Sequence, residues 1–148
     1  MRVSIFAIVS SLLLTALCAT LSAQPLSSAA TYQVIVHPNN SAISLDRRFV
    51  EDAFLKKIAA WPGGTVIRPV DLAAYSPVRR KFTEDILNRS VEAVKGYWQQ
   101  RIFSGRDVPP PELDTDEDVI AYVLKYEGSI GYVSGSANLR GTKALAVR

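Results

Sequence analysis

The sequence predicts an α/β domain in which helices pack on a mostly parallel central sheet, a three-layer arrangement. Three observations carry this. Short runs rich in β-formers recur along the chain: Tyr32–Val36 (YQVIV), Thr65–Val70 (TVIRPV) and Ser129–Ser134 (SIGYVS). Longer segments between them carry apolar residues at helical spacing. Turn-forming residues, Trp61-Pro62-Gly63-Gly64, Gly105 and Gly128, separate the two kinds of segment. Strands alternating with helices imply crossover units and a largely parallel sheet.

The elements follow in order. Tyr32–Val36 is a strand closed by a turn at Pro38. Ser44 is placed to cap a helix whose Leu45, Phe49, Phe54 and Ile58 share a face, and Trp61-Pro62-Gly63-Gly64 ends it. Thr65–Val70 is the second strand. Ser76 caps the next helix with Pro77 at its first position, where a missing N–H is harmless, and Val78, Phe82 and Ile86 give its buried stripe. Ser90 opens a further helix with Val91, Val94, Trp98 and Ile102 at helical spacing, stopped at Gly105. The stiff Pro109-Pro110-Pro111 stretch is the one candidate linker. Thr115 with Asp118 forms a capping box before a helix faced by Val119, Ile120, Val123 and Leu124, and Gly128 ends it. Ser129–Ser134 and Ala144–Val147 are the last strands.

The N-terminus predicts export. Arg2 precedes an uncharged run from Val3 to Ala30 with an apolar heart, Ile5–Ala19, too short to span a bilayer comfortably. Small residues follow at Leu21-Ser22-Ala23, the order of a secretory signal cut after Ala23. Leu17 before Cys18 argues against a lipid anchor. The expected organisation is therefore a signal peptide, residues 1–23, and one domain, residues 24–148. Removing 23 residues from 148 leaves 125, enough for one domain with its own core. Cys18 is the only cysteine and departs with the signal, which suits a bacterial envelope, periplasmic or secreted, over a disulfide-built module. Without Arg2, the 17 basic residues against 14 acidic give about +2, too little to argue for nucleic acid.

Residue by residue, the segments also resemble the solute-binding proteins of phosphate importers. The resemblance is carried by Ile43-Ser44-Leu45 before a helix ending Phe54-Leu55-Lys56-Lys57, then Trp61-Pro62-Gly63-Gly64, then Thr65–Val70. Ser76 stands where that family has the serine of a Ser-Gly-Thr phosphate loop, and Gly128–Val133 (GSIGYV) resembles its strand returning to the hinge. Coverage runs from about Val34 to Val133. The resemblance implies a single lobe of a type 2 periplasmic-binding-protein clamshell, no enzymatic activity, phosphate or another small oxyanion as ligand, and an ABC permease as partner. The site it implies is Ser76 (hydroxyl and cap), Val78 (backbone N–H) and Arg79 (charge).

The departures from that pattern predict a weakened site. Pro77 and Val78 replace Gly and Thr, removing an N–H and a hydroxyl, and Asp71 to Ala74 occupy the place of an expected arginine. A helix N-terminus contributes about 0.3–1 kcal/mol toward an anion and a charge-assisted hydrogen bond about 1.5–3, against about 8 for micromolar affinity. One helix end, one hydroxyl and an exposed arginine fall short, and Asp71 repels an anion. A second chain, in a homodimer, is one way to supply the missing wall. The alternative is a ligand-free interaction module that contacts a membrane sensor or another envelope protein through Tyr97, Trp98 and Phe103 or through the basic face.

Other motifs reduce to simpler roles. Arg79-Arg80-Lys81 and Arg47-Arg48 read as solvated helix faces, with anionic headgroups or an acidic partner as the sharper alternative for the former. His37, the single histidine, reads as a strand-end polar residue. A Ser76, His37 and Asp71 triad lacks a nucleophile-elbow sequence. Asp114, Asp116, Glu117 and Asp118 fail the calcium-loop order, because Val119 and Lys125 stand at its glycine and last-ligand positions, and complement a helix dipole instead. Neither a cofactor nor a metal site is expected.

Overall fold

The computed structural model describes residues 31–148; the signal-peptide expectation lies outside them. Its elements are β1 (Tyr32–Val36), β2 (Ser44–Leu45), α1 (Arg47–Phe54), β3 (Arg68–Pro69), β4 (Asp71–Leu72), α2 (Pro77–Leu87), α3 (Val91–Phe103), β5 (Glu112–Leu113), α4 (Asp116–Lys125), β6 (Ser129–Ser134) and β7 (Lys143–Val147). Five strands form one sheet in the order β2-β7-β1-β6-β3, and β4 with β5 forms a two-stranded ribbon beside it.

The α/β class stands, but the sheet is mixed. β1 runs antiparallel to both β6 and β7, while β2–β7, β3–β6 and β4–β5 are parallel. The antiparallel partners are the long strands, so the centre of the sheet is antiparallel and the parallel pairs are two residues each. Helices separate the partners of β3–β6 and β4–β5, yet the closing return of the chain through β6 and β7 brackets β1 from both sides.

Helices cover both faces, which makes three layers. On β6, Tyr132 points toward α1 and α2, where its ring stacks on Phe82 at 3.7 Å between centroids and 9° between planes, and Phe54 packs against both. Its neighbour Gly131 points the other way. A Cβ there would stand 2.8 Å from Val70 Cγ1 and 2.9 Å from Val119 Cγ1, so the glycine lets α4 approach the sheet. Val34, Ile35 and Val36 are all buried, as a strand covered on both faces requires.

Several local readings need correction. Ser44 does not cap α1. It pairs in β2 with Ala146 of β7, and Asp46 takes the cap by accepting the Arg48 N–H at 2.8 Å. The run Thr65–Val70 is not one strand: Val66 bridges back to Ala60, and only Arg68–Pro69 joins the sheet. Pro69 has no N–H to donate, so the bonds to β6 pass through the Arg68 and Val70 amides. The Pro109–Pro111 stretch is not a linker, since Pro111 accepts the Asp71 N–H at 2.9 Å and leads directly into β5. Ile102 leaves the buried stripe and is 49% exposed.

The caps at Ser76, Ser90 and Thr115 form as expected, each accepting an N–H three residues on. Gly105 and Gly128 both adopt positive φ where their helices stop. Among the described residues, no helix is long and apolar enough to cross a membrane.

Candidate functional site

The start of α2 lies directly after β4. A turn closed by the Ser76 N–H on the Ala73 carbonyl (2.9 Å) carries the chain from the ribbon into the helix. Ser76 Oγ accepts the Arg79 N–H at 3.4 Å and the Ser76 carbonyl accepts the Arg80 N–H at 3.1 Å. Pro77 has no N–H, so in the first turn the Val78 N–H is the donor left for a ligand. Ser76 and Val78 are half-buried at this edge.

Arg79 is the main correction. The sequence places it on a solvated basic face; the structure buries it to 4% exposure beneath the helix start. Its Nη2 is 3.1 Å from Asp71 Oδ2, and its Nη1 donates to Glu112 Oε1 at 2.6 Å and to the Leu72 carbonyl at 2.5 Å. The physical reason is spacing. α2 buries Arg79, Phe82, Thr83, Ile86 and Leu87, so the inward face carries Arg79 over the ribbon's two acidic residues. Arg80 stays exposed and Lys81 pairs with Asp85 at 2.7 Å, as a solvated face would.

Asp71 is the hub of this cluster. Its Oδ1 accepts the Tyr132 hydroxyl and, at 3.0 Å, the Leu72 N–H, while its Oδ2 faces Arg79. Burial pushes its carboxyl up from 3.8 to about 6, although Arg79, Tyr132 and the Leu72 amide all favour the charged form. The Tyr132 hydroxyl is held well above its ordinary value, first by burial and then by Asp71. Burial works against the Arg79 charge, but Asp71 beside it prevails and its pKa rises. With both carboxylates ionised the cluster carries one negative charge in excess, so Asp71 does not stand as a bare repulsive charge and Arg79 is not a free cation.

The cluster opens onto a cavity of about 430 Å³ between α3 and the ribbon, where Arg79 and Glu112 meet Trp98, Ile102 and Pro109. Trp98 itself is buried and Tyr97 donates its hydroxyl to the Leu55 carbonyl at 2.9 Å. Of the three aromatics read as a patch, only Phe103 stands out, at 90% exposure.

The remaining candidates are committed locally. His37 Nδ1 accepts the Asn39 N–H at 3.2 Å, and Asp71 is occupied by Arg79 and Tyr132. Asp116 accepts from the Ser134 N–H and hydroxyl, Asp118 from Thr115 and Asp114 from Tyr75. Among the described residues, no group of His, Cys, Asp and Glu is placed to hold a metal.

Glu112 and Tyr132 escape sequence reasoning. Glu112 follows a proline tract with no motif around it, and Tyr132 reads as an ordinary strand residue. The one signal was Asp71, a carboxylate next to a strand and eight residues before Arg79.

Solved structures share this architecture. A protein from Clostridium perfringens described as a phosphate ABC transporter substrate-binding protein, solved with bound phosphate, superposes with a TM-score of 0.63 at 23% identity. That match covers 80% of this chain and 45% of the other. An ABC-type phosphate transport receptor from Vibrio cholerae matches at 0.60 and 17% identity, covering 80% and 46%. PstS from Borrelia burgdorferi matches at 0.62 and 14%, covering 80% and 47%. No protein-family model and no curated protein sequence matches the chain. The chain therefore has the fold found in substrate-binding proteins of phosphate ABC transporters, over less than half of their length.

Proposed function

We propose that residues 24–148 form an exported, non-enzymatic domain of the phosphate-type solute-binding kind, one lobe in extent, acting beside an ABC importer in the bacterial envelope. The observation that carries this reading is the shared fold, in which one similar structure holds phosphate. The start of α2 adds to it, with the Ser76 hydroxyl and the Val78 N–H at one edge of the lobe.

An anion bound there by this lobe alone is held weakly. The Arg79 charge is spent on Asp71 and Glu112, and a lone helix N-terminus contributes about 0.3–1 kcal/mol. Useful affinity needs a second wall from another chain, either a homodimer or the permease. Export after cleavage near Ala23 belongs to the same proposal.

Calorimetry with phosphate at physiological salt, on wild type and Ser76→Ala, tests it. Weak saturable heat that disappears in the variant supports the reading. No heat at millimolar phosphate, in a sample shown by light scattering to be dimeric as well as in a monomeric one, sinks it. A second reading, a ligand-free module that docks on a membrane sensor or envelope protein, is favoured by exposed Ile102, Phe103 and Val108 near the end of α3.

A further inference from the structure

We propose that the cavity between α3 and the β4–β5 ribbon binds a small zwitterion with an apolar side chain, an apolar α-amino acid. The site differs from the anion edge at Ser76 and Val78, and its ligand is of another class.

The apolar part of the argument is the stripe on α3. Val94 and Trp98 reach the core, but Val91 is half-buried and Ile102 is 49% exposed, and both line the cavity with Trp98 and Pro109. A helix stripe that continues past the core into a concave space presents apolar surface that a ligand side chain can cover. A volume near 430 Å³ lies within the range of about 300–1,000 Å³ usual for small-molecule sites.

The polar part is charge placement. Asp71, behind the lining, and Glu112, within it, outnumber Arg79 by one charge, which attracts a cation and repels an anion. Glu112 is the accessible member, with its side chain 47% exposed and only Oε1 engaged by Arg79. An ammonium can therefore reach Oε2 without breaking the buried pair. At the rim, Lys95 is exposed and has no carboxylate partner among the described residues, so it can take a carboxylate. Glu92, the other acidic residue of the lining, stands three residues from Lys95 on the same helix and adds to the attraction for the ammonium. Gln99 lies one turn on from Lys95 and offers an uncharged hydrogen-bonding group. Together these groups match an ammonium, a carboxylate and an apolar side chain, and no single-charge ligand uses all three.

Calorimetry on the full chain at pH 7.5 with L-leucine and L-phenylalanine is the test, with phenethylamine and 3-phenylpropionate as half-ligands. Saturable binding of an amino acid, at least tenfold tighter than either half-ligand, is expected. Lys95→Ala removes that advantage over the amine, and Ile102→Trp, which fills the cavity, abolishes binding. Both positions are solvent-facing, so their variants keep the wild-type melting temperature. Equal affinity for phenylpropionate and the amino acid, or no saturable heat from any probe, overturns the proposal. Phosphate heat that responds to Ser76→Ala but not to Ile102→Trp belongs to the other site, so either reading can fail alone.

Discussion

Arg79 and Asp71 meet at 3.1 Å with their side chains 5% and 8% exposed, so a buried ion pair locks the first turn of α2 to β4. Tyr132 ties the same carboxylate to the central sheet, and Glu112 extends the contact to β5. Four elements are joined through two side chains. The arrangement neutralises a cation that sequence reasoning assigns to a ligand.

Replacing Arg79 by Met is expected to destabilise the domain by about 3–5 kcal/mol at pH 7.5, the usual consequence of leaving a buried partner charge uncompensated. The loss shrinks at pH 5, where Asp71 can protonate. Urea denaturation at the two pH values checks both statements, and a cost below about 1 kcal/mol at pH 7.5 shows that the pair contributes nothing.

The Asp71 carboxyl, raised from 3.8 to about 6 by burial, gives stability a pH dependence. The folded state holds this proton more tightly than the unfolded chain. The associated stabilisation is complete below pH 3.8 and lost as pH rises through 6, an amount of about 3 kcal/mol. Wild type should therefore gain stability relative to Asp71→Asn as pH falls from 7 to 4.5. Parallel stability curves for the two proteins count against it.

The caps differ in quality. Thr115 forms a reciprocal pair with Asp118, accepting its N–H at 3.1 Å, whereas Ser76 accepts the Arg79 N–H at 3.4 Å. Thr115→Ala is expected to cost about 1 kcal/mol or more and Ser76→Ala nearer 0.5, within the range measured for such caps. Thermal melts distinguish them, and equal losses refute the ranking.

Gly128 is irreplaceable for two reasons. Its φ is +81°, and a Cβ would meet the Val66 carbonyl oxygen at 2.1 Å. Gly128→Ala is expected to cost about 2–5 kcal/mol, the sum of a left-handed backbone and an overpacked contact. Gly63→Ala, where no atom lies within 4 Å, should stay within about 0.5 kcal/mol. Denaturant midpoints for the two variants settle the contrast.

The sequence by itself determined the α/β class and the starts of α2, α3 and α4, with their caps at Ser76, Ser90 and Thr115. These are local matters: a side-chain oxygen three residues from an N–H, or an apolar residue every turn, acts within one segment. It was also enough to suggest the phosphate-importer resemblance, and the shared fold agrees. Only the tertiary structure decided that β1 lies antiparallel between β6 and β7, that Ser44 joins a strand, and that Pro111 leads into a ribbon. Strand partners are chosen across long separations by which faces can be buried together, and no local pattern encodes that choice. Arg79 shows the same limit at the site. Its place on α2 was legible, but its burial depends on Asp71 and Glu112, which the chain brings beside it from two other segments.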